Sequence, residues 1–158
     1  HDINLSATLE RARREAILTH VKIRSFRYCM LIGAIALGGV AIFYFANYVV
    51  LAIALANNGL EPFLKDSVRA LWLAYACQSL LIALLYLLVA FKPHAVSREV
   101  IVLLGLLQLV EASLLFSFTG SMLVALLLVA AAVFVLAGAA LWPKKLPEPV
   151  TSPPGSIV

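Results

Sequence analysis

One carboxylate sits where carboxylates are rare. Glu111 lies near the middle of the apolar stretch 103–122, LLGLLQLVEASLLFSFTGSM, which is long enough to cross a membrane. A charge at that depth costs roughly 3 kcal/mol on insertion scales. Few other deep polar side chains are available to share it: Gln78 in a preceding apolar run, and Gln108 and Ser113 in the same run. Gln108 and Glu111 are three residues apart, hence on one helix face. Counting 1.5 Å per residue from the membrane faces sets Gln78 and Glu111 at matching depth. The three are therefore expected to form one interior polar cluster, with a neutral Glu111 donating to the Gln78 amide oxygen or to a backbone carbonyl.

Such a group suits four kinds of chemistry. It can tie helices together or dock the chain against a partner. It can carry a proton or cation in a small carrier. It can form the polar floor of a lipid or quinone pocket. It can also serve catalysis, but catalysis needs a second group within reach, and no His, Asp, Lys or Arg lies deep in the spans to supply one. Cys29 and Cys77 are too far apart in sequence for a CxxC pair. They read as small buried hydrophobes. His20 and His94 find no further ligands in sequence, so neither a metal nor a cofactor is expected. In the segment NNGLEPFLKDS, Glu61 and Lys65 have the spacing of a helical ion pair.

The elements that position these groups are set by composition. The chain is 63% hydrophobic and 13% charged, and its mean hydropathy is +1.02. Soluble domains are nearer half apolar and roughly a quarter charged, so the excess must face lipid. The runs do not alternate as barrel strands do. The fold class is an all-α membrane protein: an antiparallel four-helix transmembrane bundle with an N-terminal amphipathic surface helix and a disordered Pro-rich C-terminal tail. The transmembrane domain is expected over 28–142, with spans at 28–56, 68–91, 99–118 and 121–142. The first exceeds a hydrocarbon core of roughly 30 Å, and Asn47 is the expected place for a local break. No short charged-then-apolar leader with a cleavage site is present, so the apolar runs are expected to be mature spans.

Residues 1–27 are polar and basic. Leu5, Leu9, Ala12 and Ala16 recur at spacings of three and four, as on one side of a surface helix. Arg11, Arg13, Arg14, Lys22, Arg24 and Arg27 form a juxtamembrane cluster that attracts anionic lipid headgroups. No nucleic-acid motif accompanies them, so no nucleic-acid partner is expected. Ala34 with Gly38, and Ala70 with Ala74, are pairs four apart that provide small-residue faces for close helix packing, and Gly33 and Gly39 add to the first. Residues 143–158 hold five prolines in sixteen positions and cannot be helical.

Orientation follows from charge. Ten Lys/Arg fall on the side of the termini and two, Lys65 and Arg69, on the other. Both termini are therefore expected in the cytoplasm. Tyr44, Tyr48, Trp72 and Tyr75 form the outer aromatic belt, and Tyr28, Tyr86, Phe91 and Trp142 the inner.

The chain is similar to small multidrug carriers in size and in holding one intramembrane glutamate. Theirs lies in the first helix, where this chain has none, and their chains are shorter, so the resemblance assigns no family. The expected function is a non-catalytic accessory or scaffolding subunit of a larger membrane complex, with a membrane-protein partner or a second copy. A bacterial inner membrane fits the Ala- and Leu-rich spans. The alternative is a small proton-coupled carrier or a lipid- or quinone-binding protein using Glu111.

Overall fold

A computed structural model describes residues 2–119 and 122–142, except the side chains at 2–9, 11–12, 15–16 and 119. The expected Pro-rich tail, 143–158, lies outside the described residues. What is described is all-helical: α1 (Asp2–Ala46), α2 (Tyr48–Ala56), α3 (Pro62–Phe91), a 3-10 turn at Pro93–Ala95, α4 (Arg98–Thr119) and α5 (Met122–Ala140). Four stretches are long and apolar enough to cross a membrane: Ile17–Ala56, Pro62–Phe91, Arg98–Phe118 and Met122–Ala140.

Two boundaries differ from expectation. The basic segment is not set off from the first span; α1 is one helix of 45 residues. Nothing in 2–46 forces a stop, since no proline interrupts it. The helix α3 starts six residues before the expected span, because Pro62 takes its first position, where a missing N–H costs nothing. The break at Asn47 is present. Its φ and ψ are −87° and 0°, and its side-chain Nδ2 donates to the Phe43 carbonyl at 2.8 Å.

The helix α1 is the centre of the packing. Phe26, Met30, Leu37, Val40 and Tyr44 are buried on it, and it contacts both α3 and α5 along their lengths. Its contacts with α5 pair Phe26 with Trp142, Gly33 with Val135 and Gly39 with Leu127. Residue numbers thus rise on one helix as they fall on the other. The same reversal holds on α3, where Tyr44 meets Trp72 and Gly33 approaches Tyr86. On α4 and α5, the Arg98 Nε donates to the Ala139 carbonyl at 2.9 Å, while Gly105 meets Leu136.

Close approach rests on Gly33, one of the residues expected to add to the small-residue face, and on Gly105, rather than on Gly38. A Cβ at Gly33 would stand 2.6 Å from Val135 Cγ2, and one at Gly105 would stand 2.9 Å from Leu136 Cγ. Gly38 has nothing within 4 Å. Ala34 is buried, but Ala70 and Ala74 are exposed, so that small-residue pair faces away from the other described helices. One neighbouring pair is left loosely joined. Among the described residues, α3 and α4 lack the extensive backbone approach that joins α1 to α3, α1 to α5 and α4 to α5.

Candidate functional site

Five polar side chains, Tyr75, Gln78, Tyr86, Gln108 and Glu111, join α3 to α4 across the seam between them. On α3, Tyr75 and Gln78 are three apart and share a flank; Tyr86 follows three turns after Tyr75. On α4, Gln108 and Glu111 are one turn apart. The helical repeat therefore turns both sets toward the same gap.

They form two separate bridges. In the outer one, the Tyr75 hydroxyl donates to Glu111 Oε2 at 3.2 Å, and Gln78 Nε2 donates to Glu111 Oε1 at 2.9 Å. In the inner one, Gln108 Nε2 donates to the Tyr86 hydroxyl at 2.7 Å. The expected single cluster is thus divided. Gln78 and Glu111 meet, as their matching depth requires, but Gln108 pairs with a tyrosine instead. The expected direction of the bond also changes, since the Glu111 carboxyl accepts from both α3 partners. Nor is the outer bridge interior: Gln78 is exposed, and Tyr75 and Glu111 are half-buried. Gln108 is the buried member at 0% exposure, and its Oε1 has no hydrogen-bond partner. Ser113 is satisfied on its own helix by the Leu109 carbonyl, 2.8 Å away.

Packing from the first helix holds the outer bridge in place. The Tyr44 ring lies 4.8 Å from the Tyr75 ring and 4.6 Å from Trp72. Trp72 Nε1 donates to the Tyr44 carbonyl at 2.7 Å, close to the break at Asn47. Tyr75 is thereby oriented before it reaches Glu111. Beside the bridge, Tyr75, Glu111, Leu114, Leu115 and Phe118 line an open groove of about 260 Å³. A second open groove of about 500 Å³ runs between α4 and α5, lined by Leu109, Ala112, Phe116, Met122 and their neighbours. Both are mainly apolar.

Tyr75 and Tyr86 are the site residues that sequence reasoning assigned elsewhere, to the aromatic belts. Their register with Gln78 on α3 is the signal that links them to the seam. The loop cations also act differently from expectation. Lys65 Nζ binds the Ala56 carbonyl at 3.2 Å rather than pairing with Glu61, and Arg69 reaches the Ala52 carbonyl at 3.4 Å. Lys65 thereby satisfies the last carbonyl of α2, while Arg69 also pairs with Asp66 at 3.4 Å.

Of the basic cluster, Arg13, Arg14, Lys22, Arg24 and Arg27 are exposed, and the Arg11 side chain lies outside the described residues. The Arg24 guanidinium sits 5.9 Å over the Tyr28 ring. Cys29 and Cys77 are free thiols, and Cys77 is exposed rather than buried as expected, since its position on α3 faces away from α1. Among the described residues, no group of three or more His, Cys, Asp or Glu is placed to hold a metal. Comparison with protein-family models, curated proteins and solved structures returns no match.

Proposed function

We propose that the chain is an antiparallel four-helix bundle in a bacterial inner membrane, with both termini cytoplasmic, and that it serves as a non-catalytic accessory or scaffolding subunit. The docking surface is the α3–α4 seam. One observation carries this reading: a carboxylate, an amide and a hydroxyl bridge two loosely joined helices, and the amide, Gln78, is exposed. Against lipid alone, such groups are costly. A helix of another protein laid over the seam removes them from lipid and gains interhelical packing. Ala70, Ala74 and Gln78 follow one another at four-residue intervals on exposed α3. Small residues beside the polar bridge let a partner backbone come close. The exposed cations Lys22, Arg24 and Arg27 contact anionic headgroups beside the first span.

The test places a photocrosslinking residue at Ala74, at Leu114 and, as a control, at exposed Val133 on α5, followed by mild-detergent purification. Adducts with a second membrane chain from Ala74 and Leu114, absent from Val133, support the reading. A protein that runs alone as a monomer, with no adduct from either seam position, overturns it.

The groove beside Glu111 favours a second reading. Its walls are Leu114, Leu115, Phe118 and the Tyr75 ring, and it opens sideways, where a lipophilic molecule can enter from the bilayer. In that case the protein is a proton-coupled carrier or a lipid- or quinone-binding protein. Glu111→Gln then abolishes transport or binding while the protein stays folded, an effect that a docking role does not require.

A further inference from the structure

Only part of the Gln78 amide is used. A primary amide offers two N–H donors and one carbonyl acceptor. Nε2 gives one N–H to Glu111 Oε1 at 2.9 Å. Among the described residues, its other N–H and its Oε1 meet no partner. Gln78 is exposed and lies near the middle of α3, where a spanning helix meets hydrocarbon. Lipid tails supply neither donor nor acceptor at that depth. Whatever covers this face must bring both.

The face around Gln78 admits a close neighbour. Ala74 lies one turn from Gln78 and Ala70 a turn beyond, and both are exposed. Leu71, Ala74, Gln78 and Leu81 are spaced three, four and three residues apart, and all four are exposed. That alternation is the pattern of helices packing side by side. The exposed face of α5 is different in kind. It presents Leu123, Leu126, Val129 and Val133, large apolar side chains suited to lipid tails.

We infer that a second copy of this chain covers the face, with α3 paired against α3 about a two-fold axis along the membrane normal. The inference rests on the docking reading and names its occupant. Three observations choose a second copy. Copies inserted in the same direction and related by that axis present each residue to itself at one depth, so Gln78 meets Gln78. The amide is also self-complementary: each Oε1 accepts the N–H that the other amide has left, and each keeps its bond to Glu111. Finally, α3 carries no charged residue between Arg69 and Lys92. Two copies therefore meet along it without opposing like charges. A different chain would satisfy Gln78 only by holding a donor and an acceptor of its own at the same depth.

Disulfide trapping of the full-length protein in its native membrane tests this. Cys29→Ala and Cys77→Ala remove the two native thiols. Ala70→Cys, Ala74→Cys and, as controls, Val129→Cys and Val133→Cys are then introduced one at a time and oxidised. The expected result is a covalent dimer of identical chains from the two α3 positions and none from the two α5 positions. Adding Gln78→Leu to Ala74→Cys lowers the trapped yield about tenfold, as the loss of two interhelical bonds of the usual strength does. Because that variant can also disturb folding, the mass of the unaltered protein in mild detergent is measured independently, and twice the chain mass is expected. Equal trapping from α3 and α5, no trapping from α3, an unchanged yield with Gln78→Leu, or an unaltered protein of single-chain mass each overturn the inference. Should a photocrosslinking residue at Ala74 capture a different membrane chain while no identical pair is trapped, this inference falls and the docking reading stands.

Discussion

Gln108 and Tyr86 form the most buried polar contact of the spans, and it is incompletely satisfied, because Gln108 Oε1 lacks a partner. Removing only the hydroxyl leaves the whole amide unpaired. Tyr86→Phe therefore destabilises the protein by about 1–3 kcal/mol, the usual cost of a stranded buried polar group. Adding Gln108→Leu to Tyr86→Phe restores most of that loss, since both partners are then apolar. Detergent-titrated unfolding of the two variants measures it; a double variant weaker than the single one contradicts the account. At the outer bridge, Glu111→Leu loses two bonds worth about 0.6–2 kcal/mol each in a membrane. The same unfolding assay reads that loss, and an unchanged midpoint shows that the bridge contributes nothing. Glu111 and its meeting with Gln78 were legible in the sequence, because depth along a helix is a matter of counting. The tyrosines were not, because an aromatic at a membrane interface and an aromatic turned inward have the same depth. They differ in rotation about the helix axis, and that depends on where the neighbouring helix lies.

At the scale of elements, the packing of α1 on α5 depends on one missing side chain. Gly33→Ala sets a methyl 2.6 Å from Val135 Cγ2, and overpacking of that kind costs about 1–3 kcal/mol. Gly38→Ala meets nothing within 4 Å. It is neutral, or stabilising by up to about 1 kcal/mol through helix propensity. Thermal unfolding of the pair in one detergent separates them, and equal shifts would remove the packing argument. The sequence shows Gly33 and Gly38 alike, as glycines in one apolar run. Only the position of α5 tells them apart. The break at Asn47 was readable beforehand, since the run was too long and its polar residue sat at the outer end. The unbroken join between the basic segment and the first span was not. Helical continuity through 17–27 reflects the lack of any stop residue, whereas the polarity of the segment suggested a separate surface element.

For the whole molecule, orientation is the property to measure. In a background lacking Cys29 and Cys77, a single cysteine at Asn58 is expected to react with an impermeant reagent from outside intact cells. One at His94 is expected to react only after the membrane is opened. Both positions are exposed, so reactivity reports sidedness. The reverse pattern, or reaction of both from outside, contradicts an orientation built on ten Lys/Arg against two. Overall shape adds what charge cannot. The helix α1 sits between α3 and α5, α4 leans on α5, and the seam from α3 to α4 stays loosely packed. The polar groups are placed in that seam, and the basic start of α1 lies at the opposite end from the α4–α5 turn.

Composition and periodicity by themselves determined that the chain is helical, that four stretches suit a bilayer, and which carboxylate is anomalous. These are sums over local sequence: hydropathy over a window, charge over a loop, depth along a run. Tertiary structure alone decided which side of each helix is covered. It split one expected polar cluster into two bridges, brought Tyr75 and Tyr86 to them, and decided that Gly33 and not Gly38 takes the close packing. The physical reason is that burial of a side chain in a bundle depends on the rotation and spacing of its neighbours. Those are fixed by all the helices packing together, and no single segment encodes them.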